Sequence, residues 1–215
     1  MEKETIFTLI RHGETKDNLN AVLQGQSDTE LDDLGLEQAK MVAARLRQEG
    51  PFDCFFSSDL KRAMTTAEII SEAIGLPVIG TTELREWNLG ILQQRPAKEL
   101  WQEYPKIMES FRSSGEELEI PGGESRRQFR KRVSGFLDRM IEEHSGEHIL
   151  LVTHGGVLRA IFRYAMHIPE TLSIQPQVSN TGFSRIALKS TGWQLQCWND
   201  ISHLRNFKTI DLQAY

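Results

Sequence analysis

The chain has 215 residues, with 25 Lys and Arg against 30 Asp and Glu for a formal charge of −5, and 39% hydrophobic residues. These are the proportions of an ordinary globular protein large enough to bury a core, and the acidic balance argues against a nucleic-acid partner. Apolar runs such as Ile149–Val152 reach only four residues, far short of the roughly 18 a membrane span needs. Cys54 and Cys197 stand in no metal or redox spacing, so a reducing, cytoplasmic location is expected rather than a disulfide framework.

Met1–Thr5 is acidic and lacks the apolar stretch of a secretory signal. Thr5–Ile10 then reads as a strand, followed by a polar loop to Leu31. Asp32 or Asp33 can cap a helix through Leu36, Ala39, Ala43 and Leu46, stopped by Gly50-Pro51. Phe52–Phe56 reads as a second strand. Ser58 or Asp59 caps a helix carrying Leu60, Ala63, Ala67 and Ile70, closed by Gly75, and Pro77–Ile79 is a short third strand. The stretch Glu83–Gly123 breaks the rhythm: it holds Pro96, Pro105 and Pro121 and a helix expected over Ala97–Arg112. It has too few apolar residues for an independent core, so a single domain over 1–215 is expected, with a lid insertion at about 87–123. A helix after Ser125 aligns Phe129, Val133, Phe136, Leu137 and Met140. His148–Val152 is a strand, Gly156–Met166 a helix, and Phe183–Leu188 and Trp193–Trp198 are two further strands. This alternation predicts an α/β fold: a three-layer α/β/α arrangement with a mostly parallel central sheet.

Ligands bind outside the carboxyl ends of the strands in such sheets. Two strand ends carry the same dipeptide, in Arg11-His12-Gly13-Glu14-Thr15 and in Thr153-His154-Gly155-Gly156, and Ser57-Ser58-Asp59-Leu60-Lys61-Arg62 brings a further Arg to a third. One such His is more often a turn or surface residue; two at equivalent strand ends can converge.

Arg11-His12-Gly13-Glu14-Thr15, Asn18, Gln24-Gly25, Leu31, Gly35 and Gln38-Ala39 resemble the opening signature of the histidine phosphatase superfamily, in its phosphoglycerate-mutase-like branch. The resemblance continues in family order through Ser57–Ala63, Leu84-Arg85-Glu86, Pro121–Ser125, Thr153–Gly156 and Asn180-Thr181-Gly182, covering nearly the whole chain. It implies a phosphomonoesterase that forms a covalent phosphohistidine on His12, with the other ring nitrogen held by the Gly13 carbonyl. Arg11 and Arg62 would clamp the phosphoryl oxygens in planar forks, and His154 would add a donor for transition-state charge. Asn18, Gln24, Gly25 and the backbone of Gly155 would complete the phosphate site. Glu86 would protonate the leaving alkoxide and later activate water, with Glu14 as the competing carboxylate. No cofactor or metal is called for, since two Arg and a His answer the phosphate charge. The expected partner is a small phosphorylated metabolite, and a homodimer is compatible with the sequence.

Individually, several of these residues have plainer readings. Arg62 alone would be a solvated charge beside Lys61, Asn180 and Gly182 a turn, and Arg126-Arg127 a solvated helix face. Trp87, Trp101 and Tyr104 either line the leaving-group pocket or fill the lid. His144 and His148 have a metal-like spacing, but Gly146 interrupts it. A mutase of this family would carry a Tyr three residues past the acid and basic residues soon after. Here Leu89 stands there and no base precedes Arg95, which favours a phosphatase over the alternatives of a bisphosphoglycerate-dependent mutase or a non-catalytic phospho-ligand-binding module. The stretch Leu89–Pro96 departs from the family pattern; Arg95 within it either meets a second anion or faces water. Asn199–Leu204 resembles the family's end, and the tail from Asn199 to Tyr215 either closes over the pocket or leaves it open.

Overall fold

The computed structural model describes residues 4–113, 118–169 and 171–205. In chain order the elements are β1 (Thr5–Arg11), α1 (Lys16–Leu19), β2 (Val22–Leu23), α2 (Asp33–Glu49), β3 (Cys54–Ser58), α3 (Lys61–Ile74), β4 (Ile79–Thr81), β5 (Arg95–Pro96), α4 (Ala97–Glu103) and α5 (Pro105–Arg112). There follow α6 (Arg126–Glu143), β6 (His148–Thr153), α7 (Gly155–Ala165), β7 (Phe183–Lys189) and β8 (Gly192–Asp200).

Six strands form one sheet in the order β4-β3-β6-β1-β7-β8. The first four are mutually parallel, and β7 pairs antiparallel with both β1 and β8, so it alone runs against the other five, as expected of a mostly parallel sheet. Alternation along the strands divides the core. Phe7, Leu9, Ile149 and Leu151 point to one face, where α6 and α7 cover them with Phe129, Phe136, Leu137, Leu158 and Ile161. Ile10, Phe55, Leu150 and Val152 point to the other, against Val42 and Leu46 of α2 and Ala63, Ala67 and Ile70 of α3.

The β1–β6 register pairs Arg11 with Thr153, so the next residues, His12 and His154, emerge side by side. The His12 N–H donates to the Thr153 carbonyl at 2.9 Å, holding the two strand ends together.

Several boundaries differ from expectation. The second strand begins at Cys54 and runs on to Ser58, because its pairing with β6 and β4 continues to the end of the sheet. Neither Ser58 nor Asp59 caps α3 in the usual manner: Leu60 is the cap, and Asp59 instead pairs with Arg85 at 2.5 Å. The lid helix is two helices, since Pro105 starts a new one after Tyr104 leaves helical geometry. The lid segment also gathers a small apolar cluster of Leu89, Leu92, Leu100, Met108, Leu118 and Ile120, which corrects the expectation that its apolar content was too low. That cluster shares Trp87 with the main core. The two-residue strands β2 and β5 pair beside it, a sheet too short to show periodicity.

Candidate active site

His12 is buried at the end of β1, and its Nδ1 lies 2.7 Å from the Gly13 carbonyl oxygen. A carbonyl can only accept, so Nδ1 carries the proton and Nε2 keeps its lone pair. Burial, then the guanidiniums of Arg62 and Arg11, push this imidazole well below its ordinary pKa and keep it neutral. Gly13 cannot be replaced here: a Cβ would stand 2.4 Å from the Gly35 carbonyl oxygen.

The second imidazole, His154, is fully buried, with its ring centroid 5.1 Å from that of His12. Burial, Arg62 and His12 itself also hold its pKa well below normal. Its Nε2 lies 2.8 Å from Ser58 Oγ, which already accepts the Leu60 N–H at 3.3 Å. With no other acceptor for its O–H among the described residues, Ser58 donates to Nε2, which leaves Nδ1 protonated. That Nδ1 is buried without a partner among the described residues, a donor awaiting an acceptor.

Arg62, expected on its own to be solvated, is 1% exposed on the first turn of α3. Its Nη2 donates to the Gly25 carbonyl at 2.8 Å and its Nη1 to the Ser27 carbonyl at 2.7 Å, leaving the buried Nε without a partner among the described residues. Burial lowers its pKa to about 10, so it stays cationic at neutral pH. Arg11 donates from Nη1 to the Val178 carbonyl at 2.7 Å. Its Nε lies 3.7 Å from where a Cβ on Gly155 would stand.

The loop residues divide into contacts and braces. Asn18 Oδ1 accepts from Thr15 and, at 3.3 Å, from Asn180 Nδ2, which also donates to the His12 carbonyl. Asn180 is thus a brace that holds Asn18 beside the nucleophile. Gln24 donates from its amide nitrogen to Thr15 Oγ1 and accepts from Thr29 at Oε1, which shapes the loop. Gly25, at φ +51°, faces Gln93, whose Oε1 would sit 2.3 Å from an added Cβ.

Glu86 reaches the site from the side of the lid. Its Oε2 accepts the Gly156 N–H and its Oε1 accepts the Trp87 N–H, both at 2.9 Å. A side chain on Gly156 would overlap the carboxylate, at 2.2 Å from Oε1. Glu14, the competing carboxylate, is also buried, and burial followed by Asp32 raises its pKa.

Two imidazoles, two guanidiniums and a carboxylate therefore surround one space at the ends of β1 and β6. The profile of the histidine phosphatase superfamily (branch 1) matches residues 7–201. The chain belongs to this superfamily. It is 39% identical over 202 residues to a metal-independent phosphoserine phosphatase of Arabidopsis thaliana, covering 93% of this chain and 83% of the relative. Phosphoglycerate mutase-like protein 4 of the same plant is 38% identical over 201 residues, covering 92% and 86%. Among solved structures, YhfR of Bacillus stearothermophilus superposes with a TM-score of 0.85 at 27% identity, covering 93% of this chain and 99% of that one. Membership places the chain among enzymes of the phosphatase type.

Other residues of this histidine phosphatase depart from their sequence reading. Arg126 is no solvated charge: it is buried, donates to the Ser113 carbonyl at 2.7 Å, and lies 5.7 Å from the Trp87 ring. Arg95 pairs with Glu103 of α4. Trp87 stacks on Phe129 with centroids 5.2 Å apart, and Trp101 is exposed. His148 uses both ring nitrogens, on Thr8 Oγ1 and the Pro51 carbonyl. Residues 206–215 of the tail lie outside those described. Arg132 went unnoticed in the sequence, yet it donates to the carbonyls of Glu83, Arg85 and Glu86 and pairs with Glu124, fixing the approach of the acid.

Proposed function

We propose that this chain hydrolyses small phosphorylated metabolites through a phosphohistidine on His12, in the cytoplasm. The observation carrying this reading is the 2.7 Å contact from His12 Nδ1 to the Gly13 carbonyl, which directs the Nε2 lone pair into a space lined by cations. Phosphate enters between Arg11, Arg62 and the Nδ1–H of His154, with the Asn18 amide nitrogen as a further donor. Nε2 forms the P–N bond as the ester P–O bond breaks, and Glu86 gives its proton to the departing alkoxide. The Glu86 carboxylate then takes a proton from water, whose oxygen attacks phosphorus; the P–N bond breaks, phosphate leaves, and both residues return to their starting state. Charge accumulating on the equatorial oxygens meets fixed donors, so little reorganisation is required.

Two relatives are named for different reactions, a phosphatase and a mutase-like protein. Hydrolysis is favoured because Leu89, three residues past Glu86, is buried in the lid cluster where a mutase needs a polar side chain toward substrate. The test is p-nitrophenyl phosphate turnover in EDTA by wild type and His12→Ala, with 3-phosphoglycerate plus catalytic 2,3-bisphosphoglycerate as the contrast. Turnover in EDTA that His12→Ala abolishes, with phosphate release outpacing isomerisation, is expected. Equal rates in the two proteins would remove His12 from the reaction, and rapid isomerisation would make the chain a mutase.

A further inference from the structure

The turn after α6 carries a cluster of side chains that the phosphatase reaction does not use. His144 caps α6; Gly146, at φ +81°, then turns the chain so that the Glu147 N–H donates to the His144 carbonyl at 3.1 Å. The glycine that interrupts the spacing of His144 and His148 thus brings Glu147 back to His144, whose Nδ1 lies 2.7 Å from Glu147 Oε2. The turn is fixed to β1, since the Gly146 N–H donates to Thr5 Oγ1 and the Ile6 N–H to the Glu147 carbonyl, both at 2.9 Å. Cys54 opens β3 opposite Ile149 of β6, two residues on from Glu147. Phe56, on the same face of β3, meets the His144 ring edge-on with centroids 5.6 Å apart. Cys54 Sγ, a His144 ring nitrogen and a Glu147 carboxylate oxygen lie within 4.8 Å of one another, the single such group of three among the described residues. All three residues are partly exposed, so an ion can reach them from solvent. Burial, Glu147 and Asp53 push the Cys54 thiol up to about 12, too high for a nucleophile or a redox centre. The two charges acting on it are negative, and a dication in the proton's place would answer both.

We propose that Cys54, His144 and Glu147 form a zinc site, with water as the fourth ligand. Thiolate, imidazole and carboxylate together suit Zn2+, and not the hard ions Mg2+ and Ca2+, which take oxygen ligands. Zn2+ replaces the thiol proton, which leaves to solvent, and the His144 ring keeps its remaining proton on Nε2; no electron moves. Nitrogen and oxygen ligands of a tetrahedral Zn2+ stand about 3.3 Å apart, so the exposed Glu147 carboxylate swings slightly outward to admit the ion. The bound ion clips the end of α6 to the start of β3. That end of the sheet is remote from His12: Cys54 stands four residues before Ser58, about 13 Å along an extended strand. Zinc binding and the proposed phosphatase reaction therefore stand or fall independently.

The test is Co2+ titration of the full-length protein after EDTA treatment and desalting, with Zn2+ then displacing the Co2+. Cobalt bound to a thiolate gives a charge-transfer band in the near ultraviolet, which Zn2+ bleaches. One equivalent per chain is expected, with the band lost in Cys54→Ser and unchanged in Cys197→Ser. Even residues that only orient a metal ligand contribute at least about tenfold to affinity, so His144→Ala and Glu147→Gln should each weaken Zn2+ binding by about tenfold or more. The absence of a band at one equivalent overturns the proposal, as does a band that survives Cys54→Ser or vanishes in Cys197→Ser. An affinity that either His144→Ala or Glu147→Gln leaves unchanged overturns it equally. Where Cys54→Ser fails to fold, these two variants of the partly exposed turn decide.

Discussion

Ser58 Oγ lies 2.8 Å from His154 Nε2, and this contact orients a second imidazole that is otherwise held only by packing. The serine O–H has no other acceptor among the described residues, so the serine is the donor and the imidazole is left with its proton on Nδ1. Ser58→Ala removes that tautomer preference and should lower kcat about tenfold, a fraction of the loss from deleting an oxyanion donor outright. Ser58→Thr keeps the hydroxyl and should stay within about threefold of wild type. A Ser58→Ala enzyme with unchanged kcat would show that His154 needs no such orientation.

Glu86 sits on the Gly156 and Trp87 amides, and the proposed reaction makes it the acid for the leaving group. Glu86→Gln should therefore cost about 100-fold or more in kcat on an alkyl phosphate, whose alkoxide needs a proton, and far less on p-nitrophenyl phosphate, whose phenolate leaves unaided. Steady-state rates on the two substrates give the comparison. A uniform loss would assign Glu86 to binding instead, and the same pattern from Glu14→Gln would move the acid to Glu14.

Arg62 ties loop carbonyls 25 and 27, and in the proposed reaction it is also an anion clamp. Replacing it with Met strands those carbonyls in a buried place, so about 3 kcal/mol of stability should go together with phosphate binding. Lys keeps the charge but not the fork, and kcat/KM should fall about 100-fold. Urea unfolding and vanadate inhibition, measured on both variants, separate the two losses. Unaltered stability in Arg62→Met would contradict the double role.

Both site imidazoles have pKa values held well below 6.5 in the folded protein. Above pH 6.5 the rings are neutral in folded and unfolded states alike and contribute no pH dependence. As pH falls below 6.5 the unfolded chain takes up protons that the folded one refuses, so stability declines by up to about 1.4 kcal/mol per pH unit for each ring. Thermal unfolding of wild type between pH 7.5 and 5 should show this fall, and His12→Gln should show a shallower one. Identical slopes would mean that His12 is protonated equally in both states.

Much of this was legible because the informative residues lie in runs. Arg11-His12-Gly13 and Thr153-His154-Gly155 each end an apolar strand, and the β1–β6 register then brings them abreast without any further signal. What the sequence hid acts across elements. Arg132 is a helix arginine like those around it; only the fold shows that it grasps three carbonyls of the segment leading to Glu86. Arg126 misled for the same reason, since its burial depends on Trp87 and on carbonyls near residue 113 that no helical spacing reveals. Pro105 did carry the break between α4 and α5, as a proline suited to a first helical turn, yet continuous apolar spacing on either side masked it.

The central claim is that the His12 Nε2 lone pair attacks phosphorus. Rapid acid-free quenching of the enzyme with a radiolabelled phosphomonoester, followed by denaturation and acid or alkali treatment, tests it most directly. The account predicts a label bound to wild type that survives alkali, is lost in acid, and is missing from His12→Ala. A protein that turns over substrate while carrying no label, or one whose label resists acid and persists without His12, would contradict it.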